Sequence, residues 1–298
     1  MDYKQRKSKF SRFNQIIGAK KISDLVATGK MSKDSLEKIQ LASKLLLMSS
    51  LKEHKPNLKS QNNFNKIIGD VLEHKPSNIT HNGLVVPKKE NSLEYNLFLK
   101  FILDFLKESK ILGIVDRFIS PPQLRIKFGK TKKRKNFNAS EHPHSDAWTK
   151  YNTDKSYTLY FPIFGDYKNN YVRFFKPKKN FENSWLSPKK FVDGKRILKD
   201  YIPLPNLYFI GKYVITDCAT LHESVLDHGA KPRISIDTAF IPKGNILRKK
   251  YESHIKKEVI SDIGRKSFFV FKNSFKVSLK DIKKRNKQSL QDRYIYQL

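Results

Sequence analysis

Glu141-His142-Pro143-His144-Ser145-Asp146-Ala147-Trp148, followed by Leu221-His222 and then by Pro232-Arg233-Ile234-Ser235, is the part of the sequence from which the rest can be read. In His144-x-Asp146 one residue separates an imidazole from a carboxylate, so on an extended segment both side chains leave the same face. His222 can join them from a distant strand, because residues 147–221 are enough for several strands and a loop. Two imidazoles and one carboxylate fill one face of an octahedral ion and leave the other open. A redox-active iron(II) that binds O2 and a bidentate acid needs that arrangement. His144, Asp146 and His222 are therefore the candidate metal ligands and catalytic residues.

An acid such as 2-oxoglutarate carries a second carboxylate remote from the metal, and this group needs a cation. Arg233 lies eleven residues past His222, room for a strand, a turn through His228-Gly229-Ala230 and entry into the next antiparallel strand. A guanidinium grips a carboxylate through two parallel N–H···O bonds, and the Ser235 hydroxyl, two residues along on the same face, can donate a third. Tyr160 and Thr158, on the strand after the first motif, are further candidates for the co-substrate, with core packing as their competing role.

Outward from these residues the texture is that of short β runs, at 124–128, 157–164, 171–175, 207–215 and 233–241. Arg125 and Lys127 alternate with Leu124, Ile126 and Phe128, and turn residues separate the runs. Without long helical patterns between them, an antiparallel sandwich or barrel is expected rather than a parallel sheet. The N-terminal third reads as helical. Residues 31–51 carry apolar positions behind Ser32 or Asp34 as a cap, and from Asn91 the residues Leu93, Leu97, Phe101 and Phe105 recur every four beside Phe98, Ile102 and Leu106, with Asn91 and Glu94 at capping-box spacing and Gly113 as a stop. Residues 53–91 read as loop with short elements. The expected division is an N-terminal helical region at 1–112 packing on the core, a catalytic core at 113–242 with an insertion at 178–206, and a basic extension at 243–298. The insertion, with Trp185, Lys189, Lys190, Phe191, Lys195 and Arg196, is placed to cover a compact pocket.

Residues 120–242 resemble the iron(II)/2-oxoglutarate-dependent oxygenase superfamily, whose pattern is HxD, a distant His and an Arg about ten residues later. The resemblance implies an α+β protein with a mainly β core, a jelly-roll or cupin-like double-stranded β-helix. It also implies iron(II), 2-oxoglutarate and O2 as the reaction's requirements, with succinate and CO2 released and a substrate C–H bond hydroxylated. The Arg-x-Ser pair is known in the superfamily, and the surroundings of Trp148 and Asn169-Asn170 are similar to its small-molecule hydroxylases.

The chain has 60 basic and 28 acidic residues, a net charge of +32, of which +11 falls on residues 243–298. Such a charge attracts polyanions. Yet only 12 of the basic residues are Arg, the side chain favoured for phosphate and base recognition, and neither a nucleic-acid motif nor an aromatic platform for stacking bases is present. A small polar substrate is expected. The alternatives are the same chemistry on a nucleic acid or protein, or a non-enzymatic, basic nucleic-acid-binding β-sandwich. Cys218 is the single cysteine, so no intramolecular disulfide forms, and a buried apolar thiol in a cytoplasmic protein is expected. No apolar run has signal-peptide or membrane-span length. His142-x-His144-x-Asp146 also resembles the start of a dinuclear zinc motif, but that motif needs a second His where Ala147 stands. His142 is read as supporting the site or lying at the surface.

Overall fold

The computed structural model describes residues 2–51, 64–80, 82–86, 91–119, 122–129, 142–148, 156–181, 193–206, 209–242 and 260–262. The chain begins with helix α1 (Tyr3–Ile17), whose Asp2 cap accepts from the Gln5 amide while the Gln5 side chain returns to the Asp2 amide. Gly18, at φ 68°, ends it in the left-handed conformation that glycine takes without penalty. Tyr3, Arg6, Phe10, Phe13, Asn14 and Ile17 form its buried stripe. A hairpin of β1 (Lys20–Ser23) and β2 (Val26–Lys30) follows, so the N-terminal region is not purely helical.

Helix α2 (Lys33–Ser50) takes Ser32 as its cap, the hydroxyl accepting from the Ser35 amide. Helix α3 (Phe64–His74) lies inside the stretch read as loop: Phe64, Ile67, Ile68 and Val71 supply a helical stripe. In α4 (Ser92–Glu108) Asn91 makes no side-chain cap, and the buried face is Tyr95, Phe98, Leu99, Ile102, Phe105 and Leu106. Of the expected every-fourth row Phe105 is buried, Leu97 and Phe101 are half-buried and Leu93 is exposed, while Phe98, Ile102 and Leu106 beside it are all buried. A fixed spacing of four drifts round a helix of 3.6 residues per turn, whereas the observed mix of three and four stays on one side.

After α5 (Ile111–Ile114) come β3 (Val115–Ile119), β4 (Gln123–Lys127), β5 (His144–Ser145), β6 (Tyr157–Gly165), β7 (Asn170–Pro177), α6 (Gly194–Ile197), β8 (Tyr201–Pro203), β9 (Lys212–Asp217), β10 (Leu221–Leu226), β11 (Arg233–Pro242) and β12 (Ile260–Asp262). One sheet has the order β1-β2-β9-β6-β11-β3-β12, with β4 also on β11, and the other has the order β5-β10-β7-β8. All their pairings are antiparallel. From β4 to β11 the chain thus passes back and forth between a β9-β6-β11-β4 face and a β5-β10-β7-β8 face, with the consecutive strands β7 and β8 both on the second. This is a double-stranded β-helix. Strand β8 falls within the stretch read as an insertion and is instead a core strand. Its proline is tolerated because β8 is the edge of the smaller sheet. Residues 182–192, with Trp185, Lys189, Lys190 and Phe191, lie outside the described residues, as does the tail apart from β12.

The larger sheet carries apolar residues on both faces. Leu124, Ile126, Leu159, Phe161, Ile215, Ile234 and Ile236 pack against the helices in one continuous cluster. Val26, Tyr160, Phe174, Leu204 and Val214 fill the space between the two sheets. Among the described residues, no helix is long and apolar enough to cross a membrane.

Candidate metal centre and co-substrate pocket

Strands β5 and β10 pair so that His144 and His222 stand directly opposite each other, their ring centroids 4.3 Å apart. Asp146 is not on the extended segment; it opens a short 3-10 turn, Asp146–Trp148, tied back where the Ala147 amide donates to the Cys218 carbonyl at 3.0 Å. The expectation of two side chains on one face of a strand is thus replaced by a strand end and a turn, which still bring both groups together. One ligand atom from each of His144, Asp146 and His222 lies within 4.8 Å of the others, and His222 Nε2 is 3.7 Å from Asp146 Oδ1.

Their supports assign the imidazole nitrogens. His144 Nδ1 is 2.7 Å from the His142 carbonyl and His222 Nδ1 is 3.1 Å from the Thr220 carbonyl. Only an N–H can donate to a carbonyl, so both rings carry the proton on Nδ1 and present a lone pair on Nε2. Burial, with His222 alongside, pushes His144 down to about 3, so it is neutral, as a metal ligand must be. Thr158, a co-substrate candidate in the sequence, donates its hydroxyl to Asp146 Oδ2 at 2.7 Å. His142 contributes its backbone carbonyl.

The next residue but one along β6, Tyr160, lies beneath Arg233, whose guanidinium is 5.6 Å from the ring centroid. Arg233 opens β11, is 2% exposed, and donates from Nη1 to the Asn170 carbonyl at 3.0 Å. Its Nε is buried with no hydrogen-bond partner among the described residues, an orphaned donor that a carboxylate would satisfy. Ser235 is buried beside it, and burial pushes the Tyr160 phenol up. Thr158 and Tyr160, about 7 Å apart on the inter-sheet side of β6, therefore link the Asp146 carboxylate of the turn to the Arg233 guanidinium of β11.

Arg125 and Lys127 were given no role at the site by sequence reasoning. Arg125, opposite Ser235 across β4 and β11, pairs with Asp237 at 3.3 Å, and its charge is felt at His144. Lys127, opposite Arg233, is 2% exposed. The polar half of the β4 alternation thus faces the space between the sheets. Asn170 donates from Nδ2 to the Lys127 and Lys231 carbonyls, both at 3.0 Å, and so braces the entry to β11. Trp148 packs on the outer side of the smaller sheet with Phe175, Tyr201 and Leu221.

No protein-family model matches the chain, and no curated protein matches it. Solved structures similar to it include AviO1 from Streptomyces viridochromogenes Tue57, at 13% identity and a TM-score of 0.42 over 83% of this chain and 97% of that one. EctD from S. alaskensis with bound Fe matches at 14% identity and a TM-score of 0.42 over 84% and 80%. The epimerase SnoN in complex with Fe3+, alpha ketoglutarate and nogalamycin RO matches at 11% identity and a TM-score of 0.38 over 78% and 84%.

Proposed function

We propose that this protein is a mononuclear non-haem iron(II) oxygenase that consumes 2-oxoglutarate and O2 and hydroxylates a small polar molecule. One juxtaposition carries this reading: a His-Asp-His cluster with both Nε2 atoms turned inward is linked through Thr158 and Tyr160 of β6 to a buried guanidinium whose Nε has no partner among the described residues. The donor set, two neutral imidazoles and a carboxylate, suits iron(II) and leaves the other side open. Bound there, the metal supplies O2 activation. Arg233 receives the far carboxylate of 2-oxoglutarate through its fork, Ser235 adds a hydroxyl donor, and Tyr160 forms the wall between the two ends. Thr158 fixes Asp146 so that Oδ1 faces the cluster. Val214, Phe174 and Leu204 keep the surrounding space apolar and strengthen each polar contact within it.

Val26, Tyr160, Phe174, Leu204 and Val214, which fill the space between the sheets, support a small substrate. Succinate formation with iron(II), 2-oxoglutarate and O2, scored across a panel of small polar metabolites, oligonucleotides and peptides, tests this reading. Stimulation by a metabolite is expected. Stimulation by oligonucleotides or peptides alone would overturn the substrate class, and no succinate with any of them would overturn the reaction.

A further inference from the structure

The turn Asp217-Cys218-Ala219-Thr220 joins β9 to β10 and supports all three candidate ligands. Its Cys218 carbonyl accepts from Ser145 Oγ at 2.8 Å and from the Ala147 amide at 3.0 Å, the residues on either side of Asp146, while Ser145 also follows His144. The Thr220 carbonyl fixes the His222 ring. Asp217 closes the turn: Oδ1 accepts from the Ala219 amide at 2.8 Å, and its carbonyl accepts from the Thr220 amide at 2.9 Å. That same Oδ1 receives Arg6 Nη1 at 2.8 Å, from helix α1, with both side chains wholly buried, and Arg6 Nη1 is also 3.7 Å from Cys218 Sγ.

A fully buried ion pair is a poor source of stability, because desolvating two charges costs about as much as their attraction returns and an apolar pair serves as well. What the pair does supply is a fixed geometry. We infer that Arg6 is a positioning residue for the metal centre: acting through Asp217, it holds the turn whose two carbonyls orient His222 and clamp the segment that carries Asp146. On this account the first helix of the chain is part of the support of the site. The inference rests on the reading of the cluster as a metal site.

Cobalt(II), an oxygen-stable substitute for iron(II) with visible ligand-field bands, tests it in the full chain without turnover. Arg6→Met combined with Asp217→Asn removes both charges together and keeps an oxygen for the Ala219 amide. Cooperative thermal unfolding is expected to persist, with cobalt affinity falling about tenfold and the band pattern altered. Arg6→Lys keeps the charge without the planar fork and is expected to lose less. Leu46→Ala, a core truncation in α2 at a fully buried side chain, lowers stability but is expected to leave cobalt affinity unchanged. Wild-type affinity in the folded neutral pair, or the same loss in Leu46→Ala, overturns the inference. If the neutral pair does not fold, wild-type affinity in Arg6→Lys overturns it. Absence of cobalt binding by the wild type would instead remove the metal reading on which it stands.

Discussion

The hydroxyl of Thr158 donates to Oδ2 of Asp146 at 2.7 Å, leaving Oδ1 as the oxygen that faces His222. A carboxylate held at one oxygen reaches a metal without first losing rotational freedom. Thr158→Val, nearly the same shape without the donor, is expected to lower iron(II) or cobalt(II) affinity about tenfold, while Thr158→Ser retains most of it. Metal titration followed by ligand-field absorption checks this. Equal affinities for Val and Ser would mean that the bond does not orient Asp146.

Arg233 is the only contact proposed for the far carboxylate that carries a charge and an unsatisfied donor together. Arg233→Lys offers one ammonium in place of a planar fork, and 2-oxoglutarate affinity is expected to fall at least about tenfold, with metal affinity nearly unchanged. Calorimetric titration of the cobalt-loaded protein separates the two. A parallel loss of metal affinity would place Arg233 in the support of the cluster instead.

At Gly194 an added Cβ would overlap the Pro143 carbonyl oxygen, and a backbone oxygen cannot swing aside as a side chain can. Helix α6 would have to move off the residue preceding His144. Gly194→Ala is expected to lower both the melting temperature and metal affinity. Gly69→Ala in α3, where nothing lies within 4 Å, is expected to stabilise by about 0.5–1 kcal/mol and leave binding unchanged. Thermal unfolding and cobalt titration of both variants make the comparison.

The chemistry at the site was more legible in the sequence than its architecture. His144, Asp146, His222 and Arg233 are polar residues whose spacing carries meaning even when the intervening structure is unknown. The strands holding them are harder to read. Strand β5 has two residues and β8 three, too short for any alternation to register. Arg125, Lys127 and Asp237 look like a solvated strand face, because alternation alone does not say which side of a sheet is closed by a second sheet. Arg6 and Asp217 are 211 positions apart, and nothing local marks either as buried. The stripe of α1 is hidden by the lysines around it, and α3 by the polar residues on both sides.

The metal-free protein should lose stability on mild acidification. His144 is held near 3 when folded, mainly by burial, against about 6.5 when unfolded. Between these values the unfolded chain binds a proton that the folded chain refuses, so its contribution is full above about pH 6.5 and declines as the pH falls toward 3. From pH 7 to 5, above the ordinary carboxylate range, chemical denaturation is expected to show this decline, reduced in His144→Gln. A pH-independent midpoint over this range would contradict the burial of a neutral His144.

The proposed site holds iron(II) through His144, Asp146 and His222 and 2-oxoglutarate through Arg233. Anaerobic addition of iron(II) and 2-oxoglutarate, followed by visible absorption, addresses both halves at once. A weak charge-transfer band is expected with the wild type, absent when zinc replaces iron and absent in His222→Ala. A folded wild-type protein that gives no band, and no heat of 2-oxoglutarate binding in the presence of iron(II), would contradict the account.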